Sequence, residues 1–393
     1  MSRDKIAFVC QRYGLEVNGG AEMSCRMAAE HLAAEYDVTV YTTCALDYMS
    51  WKNHYPEGEE ILRGVRVKRY ASIRERNQEV FDRLSRTVLL SPDHSDAQEE
   101  AWIDEQGPYC PALLQALFAE HKQYRVVFFM TYLYYTSARG LPLGLENAVL
   151  IPTAHDEPPI WLRYYDRVFS SAKWLVWHSA EERAFARERF PAIQDLPSTV
   201  IGMGIDPTAQ PLPPLPEGLV PGQYLVYAGR IDESKGCREM FSWFIQYRKT
   251  SPVPLQLVLM GKPVLPIPDH PDIRALGFVS EEMKYAVMEQ SLALVLFSRY
   301  ESFSIVVLES MMMGRPVLVN GDCAVLREHC RHSNAGLYFR DYGEFHAEVD
   351  YLLSHPETYR AMCRNGQKYV RENYRWDVIL EKYRQIIESF PAR

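Results

Sequence analysis

The chain has 393 residues, of which 47% are apolar and 24% charged, and its formal net charge is −8. This composition is typical of a folded globular protein, and the length favours two domains of about 200 residues each over a single core. The negative net charge argues against a general attraction to nucleic acid, so we expect no nucleic-acid partner.

Short apolar segments alternate with helical ones through the first half of the chain. Strands are predicted at 6–10, 38–42, 65–70, 126–129, 149–151, 175–177 and 199–201. Because these segments are apolar throughout rather than alternating, they are typical of parallel strands covered on both faces. Helices are predicted between them at 21–35, 111–121 and 180–189. This order of elements predicts an open, doubly wound parallel sheet over residues 1–206.

A proline-rich segment follows at 207–222, with six prolines and two glycines. Such a segment cannot propagate a helix or a central strand, which predicts an interdomain linker. The alternation then restarts, with strands predicted at 224–228, 255–260, 273–277, 293–297, 317–319 and 336–338, and helices at 239–249, 281–290, 306–313 and 345–354. We therefore expect a second Rossmann-like domain at 223–375 and a final helix at 376–393.

Parallel sheets bind ligands at the carboxyl ends of their strands, so functional residues are expected on the loops that follow strands. Glu301 lies on such a loop, and Glu309 lies eight positions later inside the next helix. A loop carboxylate can accept hydrogen bonds from sugar hydroxyls, and a helical carboxylate can bind the 2′ and 3′ hydroxyls of a ribose. The N–H groups of Ser304 and Ile305 at the helix start favour a diphosphate. By spacing alone, two solvated glutamates remain the alternative.

A second loop carries two cations. It begins with Gly229 at the end of a predicted strand, and it contains Arg230 and, five positions later, Lys235. Arginine offers a planar fork to phosphate oxygens and lysine adds a mobile point charge, so the two side chains can converge on one anion. A surface turn or an arginine–glutamate pair is the alternative interpretation.

The first half contains two weaker patterns. Gly19 and Gly20 open a helix after the first strand, which allows the backbone to approach an anion closely, and Glu22 follows in the first turn. His155 and Asp156 follow the strand at 149–151, although a lone histidine in this position is more often structural. The glycine pair is not a G-x-G-x-x-G fingerprint, so an NAD-dependent dehydrogenase is a poor fit.

Together these segments resemble the retaining glycosyltransferases of family 4, whose signature is E-x7-E. Glu301 matches the glutamate that contacts the donor sugar, and Glu309 matches the one that binds the nucleotide ribose. The loop with Gly229, Arg230 and Lys235 is similar to the family's G-R-x4-K-G loop, whose cations neutralise the donor diphosphate. The resemblance therefore implies that these residues bind a nucleotide sugar.

The resemblance also assigns roles in the first half. Gly19 and Gly20, with Glu22, match a G-G-x-E element that touches the diphosphate and the acceptor side of the site. His155 matches a histidine that hydrogen-bonds the transferring sugar, and Asp156 is expected to hold the imidazole or bind the acceptor. Acceptor loops are expected at 13–18, 47–56, 132–135 and 161–165.

The fold implied is GT-B, with two Rossmann-like, doubly wound α/β domains that face each other across a cleft and a last helix that crosses back to the first domain. Typical members carry glycine where this chain has Ser302 and Ser304. The implied reaction moves a hexose, with retention, from a nucleotide sugar to a saccharide or lipid-linked saccharide in polysaccharide or glycoconjugate biosynthesis. UDP-glucose is the favoured donor, and GDP-sugars remain open.

No two aspartates are separated by a single residue, so the sequence has no D-x-D metal clamp. We expect no metal and no cofactor, because the nucleotide sugar is a substrate and fixed cations can neutralise its diphosphate. A nucleotide-sugar epimerase, a glycogen-phosphorylase-like enzyme and a non-catalytic sugar-nucleotide-binding module of the same fold remain alternatives.

Three further features bear on localisation and on competing sites. The eight cysteines form no C-x-x-C pair and no apolar segment approaches 18 residues, which predicts a cytoplasmic protein without a leader, in at most peripheral contact with the inner face of a membrane. The segment 328–332 collects potential metal ligands but fits no zinc spacing, so we interpret it as helix-end surface. Basic residues that could contact a lipid headgroup are interleaved with acidic ones, which favours a solvated helix face: Arg74, Arg76, Arg83 and Arg86.

Overall fold

The computed structural model describes residues 3–17, 19–206 and 211–393. The chain divides into two compact units, one comprising Met1–Gly204 with Ile379–Arg393 and the other Ile205–Val378. Asn18 in the predicted loop 13–18, and positions 207–210 of the predicted linker, lie outside the described residues. None of the helices in the described part of the chain has the length and apolar character needed to cross a membrane.

The first unit is built on one eight-stranded sheet. Its strands are β1 (Lys5–Val9), β2 (Asp37–Thr43), β3 (Gly58–Leu62), β4 (Val65–Tyr70), β5 (Val126–Met130), β6 (Ala148–Ile151), β7 (Trp174–Trp177) and β8 (Ser198–Val200). They lie in the order β3-β4-β2-β1-β5-β6-β7-β8, and every neighbouring pair is parallel except β3 with β4. Strands β5 and β6 are buried along their whole length, as the unbroken apolar segments predicted.

The antiparallel edge strand β3 was not predicted from the sequence. It is largely exposed, and its two apolar residues, Ile61 and Leu62, form too short a segment to indicate a buried strand. Its hairpin to β4 turns through Arg63 and Gly64, which both have positive φ, at 48° and 84°. Two positive φ values are what a tight type I′ hairpin needs, and they match the twist of the flanking strands.

Helices separate the strands of the first unit. They are α1 (Gly20–Leu32), α2 (Gln78–Leu90), α3 (Asp96–Gln106), α4 (Pro111–Glu120), α5 (Tyr135–Gly140), α6 (Tyr164–Ser171) and α7 (Ala180–Arg189). Side-chain caps begin several of them, and Ser95 with Gln98 forms a full capping box at α3. The predicted helix at 180–189 agrees with α7 at both ends, and Ser179 accepts a hydrogen bond from the N–H of Glu182 there.

The second unit has a fully parallel six-stranded sheet. Its strands are β9 (Tyr224–Ala228), β10 (Gln256–Met260), β11 (Ile273–Gly277), β12 (Ala293–Leu296), β13 (Val317–Asn320) and β14 (Gly336–Phe339), in the order β11-β10-β9-β12-β13-β14. Its helices are α8 (Cys237–Thr250), α9 (Glu281–Glu289), α10 (Ile305–Met312), α11 (Ala324–Ser333), α12 (Tyr342–Ser354) and α13 (Pro356–Asn373). The predicted class, α/β with two Rossmann-like units, is confirmed.

The boundary between the units differs from the predicted one. It falls between Gly204 and Ile205, before the proline-rich segment. The described part of that segment, 211–222, has neither helix nor strand and belongs to the second unit, where the N–H of Gly222 donates to the carbonyl of Gln290 at 2.8 Å. The segment is therefore held against one unit along its described part rather than spanning both.

The last helix, α14 (Trp376–Ser389), belongs to the first unit from Ile379 onward. Arg384 forms an ion pair with Glu35 at 2.7 Å, and the rings of Tyr383 and Phe128 meet edge to face with centroids 5.6 Å apart. The buried aromatic contact anchors the chain terminus more strongly than the half-exposed ion pair, because exposed pairs contribute about 0–1 kcal/mol.

Candidate functional site

The loop after β9 is shaped by two glycines that touch. The N–H of Gly229 donates to the carbonyl of Met260 at 2.9 Å. Gly261 has φ near 144°, and a β-carbon there would overlap with the carbonyl oxygen of Gly229. Only glycine permits this approach, which fixes where the chain leaves the sheet and enters the cationic loop.

Arg230 lies at the start of this loop and forms an ion pair with Asp232. Asp232 also accepts hydrogen bonds from Ser234 Oγ at 2.7 Å and from the N–H of Lys235 at 3.0 Å, so it caps the short 3₁₀ helix Glu233–Lys235. Burial acts to raise the pKa of Asp232, but the hydrogen bond from Ser234 and the charge of Arg230 hold it below its usual value. The aspartate thus orders both cations of the loop.

Lys235 and Glu301 meet, although they are 66 positions apart in sequence. Lys235 Nζ lies 2.8 Å from Glu301 Oε1, and both side chains are partly buried. They follow the neighbouring parallel strands β9 and β12. Gly236 makes the contact possible: its φ is 69°, and a β-carbon there would overlap with the carbonyl oxygen of Phe297, just after β12. The sequence predicted each residue, and the structure brings these two together.

Ser304 occupies the N-cap position of α10 without a side-chain capping hydrogen bond, and its backbone lies in the left-handed region, at φ 66° and ψ 73°. This conformation favours glycine, which explains why glycine is typical at this position in the family that the sequence resembles. The helix begins at Ile305, as the predicted diphosphate-binding N–H groups require. Their role in binding remains a prediction.

A buried histidine holds the carbonyl just before Ser304. His329 Nε2 lies 3.0 Å from the carbonyl oxygen of Phe303, and its Nδ1 lies 3.2 Å from Tyr369 OH. Burial lowers the pKa of His329 to about 4, so the ring is neutral at pH 7. Because a carbonyl can only accept, we assign the proton to Nε2. His329 therefore fixes the backbone that enters α10.

Glu309 is buried in α10 and is held by two side chains from α9. Its Oε1 lies 2.7 Å from Lys284 Nζ and 3.2 Å from Tyr285 OH. Ser280 caps α9 by accepting from the N–H of Met283 at 3.2 Å, which sets where these side chains project. The sequence analysis missed Lys284 and Tyr285, because an amphipathic helix gives no signal for a specific partner on another helix.

In the first unit, Gly19 and Gly20 lie at the start of α1, as predicted. Gly19 has φ near 153°, and a β-carbon there would overlap with the carboxylate of Glu22. Glu22 is buried, and its Oε1 accepts from Gln11 Nε2 at 2.8 Å and from Arg12 Nε at 2.9 Å. These contacts indicate that Glu22 orients Arg12, and its predicted contact with an acceptor remains a prediction.

The loop after β6 carries His155. Its Nε2 lies 3.4 Å from Glu157 Oε2, and Tyr132 OH donates to Glu157 Oε1 at 2.7 Å. Burial opposes ionisation of Glu157, but its contacts with His155 and Tyr132 hold its pKa below the usual value. The sequence predicts that Asp156 holds the imidazole or binds the acceptor. Glu157 contacts the imidazole, whereas Asp156 accepts from Trp161 Nε1 at 2.8 Å, and its contact with an acceptor remains a prediction.

A buried glutamate, Glu182, fixes the backbone next to His155. Glu182 accepts hydrogen bonds from the N–H groups of Ala154 and His178, both at 2.6 Å, so it ties the end of β6 to the end of β7. Burial raises the pKa of Glu182 to about 8, against the effect of these backbone donors. Nothing in the sequence distinguished Glu182 from the other acidic residues of α7.

The segment 328–332 was interpreted as helix-end surface, which is wrong for two of its residues. His329 and Cys330 are buried, because they lie on the inner face of α11. Glu328 forms an ion pair with Arg331 at 2.8 Å on the outer side. No group of three or more His, Cys, Asp or Glu side chains that could hold a metal ion is present among residues 3–17, 19–206 and 211–393.

The basic residues around α2 divide into two kinds. Arg74 pairs with Glu105 at 2.8 Å, and Arg76 lies over the rings of Trp51 and Phe81. Arg76 is therefore partly buried against aromatic rings, whereas Arg74 is an exposed residue in an ion pair, and both precede α2. The other two lie on the exposed face of α2, as a solvated helix face predicts: Arg83 and Arg86.

Comparison with known proteins finds glycosyl transferases similar to the part of the chain that contains Arg230, Lys235, Glu301 and Glu309. Residues 222–355 match the family model described as Glycosyl transferases group 1. A 105-residue stretch is 32% identical to Glycosyltransferase 1 domain-containing protein 1 of Xenopus tropicalis, and it covers 26% of this chain and 29% of that relative's length.

Solved structures resemble the whole chain at low identity. Sucrose-phosphate synthase from Thermosynechococcus elongatus has a TM-score of 0.68 at 17% identity, covering 98% of this chain and 100% of that one. Anabaena HepE in complex with UDP and glucose has a TM-score of 0.67 at 16% identity, covering 99% and 100%. A trehalose-6-phosphate structure from E. coli, bound with UDP-2-fluoro glucose, has a TM-score of 0.73 at 12% identity, covering 99% and 100%. The chain therefore has the GT-B fold, and its residues 222–355 match the glycosyl transferases group 1 family model.

Proposed function

We propose that this protein is a retaining glycosyltransferase of family 4. It moves a hexose from UDP-glucose to a saccharide or lipid-linked saccharide in polysaccharide or glycoconjugate biosynthesis. The observation that carries the proposal is the contact between Lys235 and Glu301. It lies beyond the carboxyl ends of β9 and β12, just before the helix that contains Glu309. A cation for a diphosphate, a carboxylate for a sugar and a carboxylate for a ribose are thus supplied by two loops and one helix. The UDP and UDP-sugar ligands of the HepE and E. coli structures support a UDP-sugar donor.

In the proposed reaction, the bond between the anomeric carbon and the diphosphate oxygen breaks, and the electron pair stays on the leaving diphosphate. The acceptor hydroxyl oxygen bonds to the same face of that carbon, and its proton goes to the diphosphate oxygen. Because negative charge grows on the leaving group, fixed cations should contribute the largest rate effect. Arg230 and Lys235 have this role, assisted by the N–H groups of Ser304 and Ile305.

His155 has a positioning role toward the sugar in this proposal. It hydrogen-bonds the transferring hexose, and Glu157, with Oε2 3.4 Å from His155 Nε2, orients the imidazole. Glu157 is in turn fixed by Tyr132 OH, so the imidazole is held by a chain of partly buried polar groups. A group that is fixed before substrate binds loses less entropy when it acts, which favours the transition state.

The reaction needs no metal and no cofactor in this proposal. Treatment with EDTA should therefore leave the transfer rate within about twofold of the untreated enzyme. Complete loss of activity with EDTA, restored by a divalent cation, would contradict the metal-independent mechanism while leaving the transferase assignment in place.

We also place the protein in the cytoplasm, at most in peripheral contact with the inner face of a membrane. Support comes from the cysteines: all eight are unbridged thiols, and seven are buried. Unbridged cysteines are typical of reducing compartments.

Product analysis with UDP-glucose labelled in the hexose tests the function. A transferase releases UDP and moves the label to a p-nitrophenyl glycoside acceptor, with proton NMR of the product reporting the retained anomeric configuration. An epimerase would leave the label on UDP as a different hexose. Binding of UDP-glucose without turnover on any acceptor or on water would indicate a non-catalytic module, and the proposal would then be wrong.

A further inference from the structure

An exposed tryptophan stands on the loop that carries His155. Trp161 ends the 3₁₀ helix Pro158–Trp161, and its side chain is 56% exposed. Single exposed aromatic residues are common and need no explanation by themselves. Trp161 differs because its ring is held on several sides, as the contacts around it show.

Arg189 fixes the backbone on both sides of Trp161. Its Nε donates to the carbonyl of Ile160 at 3.0 Å, and its Nη2 donates to the carbonyl of Leu162 at 3.3 Å. The guanidinium also lies 5.3 Å from the centroid of the indole ring, over one of its faces. Arg189 is itself held by an ion pair with Asp166 at 2.9 Å. One face of the indole is therefore covered by a fixed cation.

The edge of the ring is fixed as well. Trp161 Nε1 donates to Asp156 Oδ1 at 2.8 Å, and the ring of Phe185 meets the indole edge to face, with centroids 6.4 Å apart. The indole is thus rigid before any ligand binds, while more than half of the side chain stays in contact with solvent. Phe118 on α4 is similarly exposed, at 54%, and its ring lies with its centroid 5.6 Å from that of the imidazole of His121.

A rigid, exposed indole with a carboxylate at its edge suits a pyranose ring. The π-face carries partial negative charge and attracts the axial C–H groups of a sugar, and a preformed surface loses little entropy on binding. Only Oδ1 of Asp156 is used by Trp161, and a carboxylate has a second oxygen that can accept from a sugar hydroxyl. A pyranose offers both complements, a C–H face for the indole and hydroxyl donors for the carboxylate.

We propose that Trp161 and Asp156 form the binding site for a pyranose ring of the acceptor, with the ring stacked on the indole and a hydroxyl donating to the carboxylate. The inference rests on the proposed glycosyltransferase function, because it is the position of this site on the His155 loop that makes the bound sugar an acceptor. It specifies the acceptor as a saccharide whose terminal unit is a pyranose.

Saturation-transfer NMR tests the site without any need for turnover. The probes are the methyl α- and β-glycosides of glucose, galactose and mannose, each at millimolar concentration with UDP present. We expect wild type to give signals with at least one glycoside, Trp161→Ala to lower them at least fivefold, and Asp156→Asn to lower them about twofold to fivefold. The matched control, Phe118→Ala, should leave them unchanged. Calorimetry with UDP should give the same affinity for all four proteins.

Several results would overturn the site. Equal signals from wild type and Trp161→Ala would do so, as would the absence of a signal from every glycoside with a wild-type protein that binds UDP. If Trp161→Ala abolished sedimentation with phosphatidylglycerol vesicles and left the glycoside signals intact, the tryptophan would be a membrane contact instead. Failure of the proposed function looks different: the glycoside signals would depend on Trp161, but UDP-glucose would be neither bound nor turned over.

Discussion

Lys235 Nζ lies 2.8 Å from Glu301 Oε1, so the cation assigned to the diphosphate and the carboxylate assigned to the sugar are direct partners. Glu301 offsets part of the positive charge that a diphosphate would meet. In the proposed complex with the donor, the carboxylate has sugar hydroxyls as partners and the ammonium has phosphate oxygens. We therefore expect Glu301 to favour binding of the sugar and to lower the affinity for the nucleotide without a sugar.

Glu301→Gln should separate the effect of the carboxylate on UDP affinity from its effect on sugar transfer. Removing the negative charge should leave UDP affinity unchanged or raise it, because the field of Lys235 at the diphosphate is no longer offset. Transfer from UDP-glucose should fall by about 10- to 100-fold, the loss expected for a hydrogen bond to a charged group worth about 1.5–3 kcal/mol. Calorimetry with UDP and initial rates with UDP-glucose measure both effects. A clear loss of UDP affinity would show that the carboxylate does not oppose the diphosphate.

Lys235→Ala should remove a preorganised charge from the leaving group. The expected loss of kcat is about 10²–10³-fold, or about 2.7–4 kcal/mol, the usual result of deleting one such group. Lys262→Ala is the matched control, because Lys262 is exposed on the adjoining loop, where its carbonyl accepts from the N–H of Ile231 at 3.0 Å. A Lys235→Ala rate within about threefold of wild type would remove this lysine from the mechanism.

Glu309→Gln should chiefly weaken nucleotide binding. We expect UDP affinity to fall by about tenfold or more, because a charged acceptor for the ribose hydroxyls is lost. Lys284→Met should lower UDP affinity several-fold by releasing the Glu309 carboxylate, and Lys284→Arg should restore most of it. Unchanged calorimetric affinity in Glu309→Gln would rule out the ribose role. A Lys284→Arg variant no better than Lys284→Met would indicate that the lysine does more than hold the carboxylate.

His329 should make the free energy of unfolding depend on pH. Burial lowers its pKa from 6.5 to about 4, so below pH 6.5 the unfolded chain takes up a proton that the folded protein refuses. The free energy of unfolding therefore has its full value above pH 6.5, and it decreases by up to about 3 kcal/mol as the pH falls toward 4.

The matched variant for this effect is His329→Gln, which can still donate to the carbonyl of Phe303 but does not titrate. Burial lowers the pKa of His178 to about 4 as well, so the wild-type curve alone cannot assign the effect. The difference between the unfolding free energies of wild type and His329→Gln, measured in urea from pH 4 to pH 7, isolates it. Parallel curves would mean that His329 does not contribute this dependence.

The sequence predicted most strands, because parallel strands are apolar along their whole length. It predicted only some of the helices: α3, α5, α6 and α11 are not among the predicted segments. It missed β3, whose exposed edge position needs no apolar residues. The proline-rich segment predicted a boundary after residue 206, whereas the division falls after Gly204. Proline content shows where regular structure stops but not which unit the chain then packs against.

Within the candidate site, the sequence predicted the residues that follow strands but not the residues that hold them. Glu301 and Glu309 were identified by their spacing, whereas Lys284, which pairs with Glu309, lies on a separate helix 25 positions earlier. Similarly, Glu157 and not Asp156 pairs with His155, because the loop turns between the two acidic residues. Such partners depend on tertiary contacts, and one sequence carries no signal for them.

The most direct test of the account is a crystal structure of the protein with UDP. The account predicts the diphosphate within hydrogen-bonding distance of Arg230, Lys235 and the N-terminus of α10, with the ribose hydroxyls on Glu309. A nucleotide bound away from residues 230, 235 and 309 would contradict the central claim that these residues bind the donor.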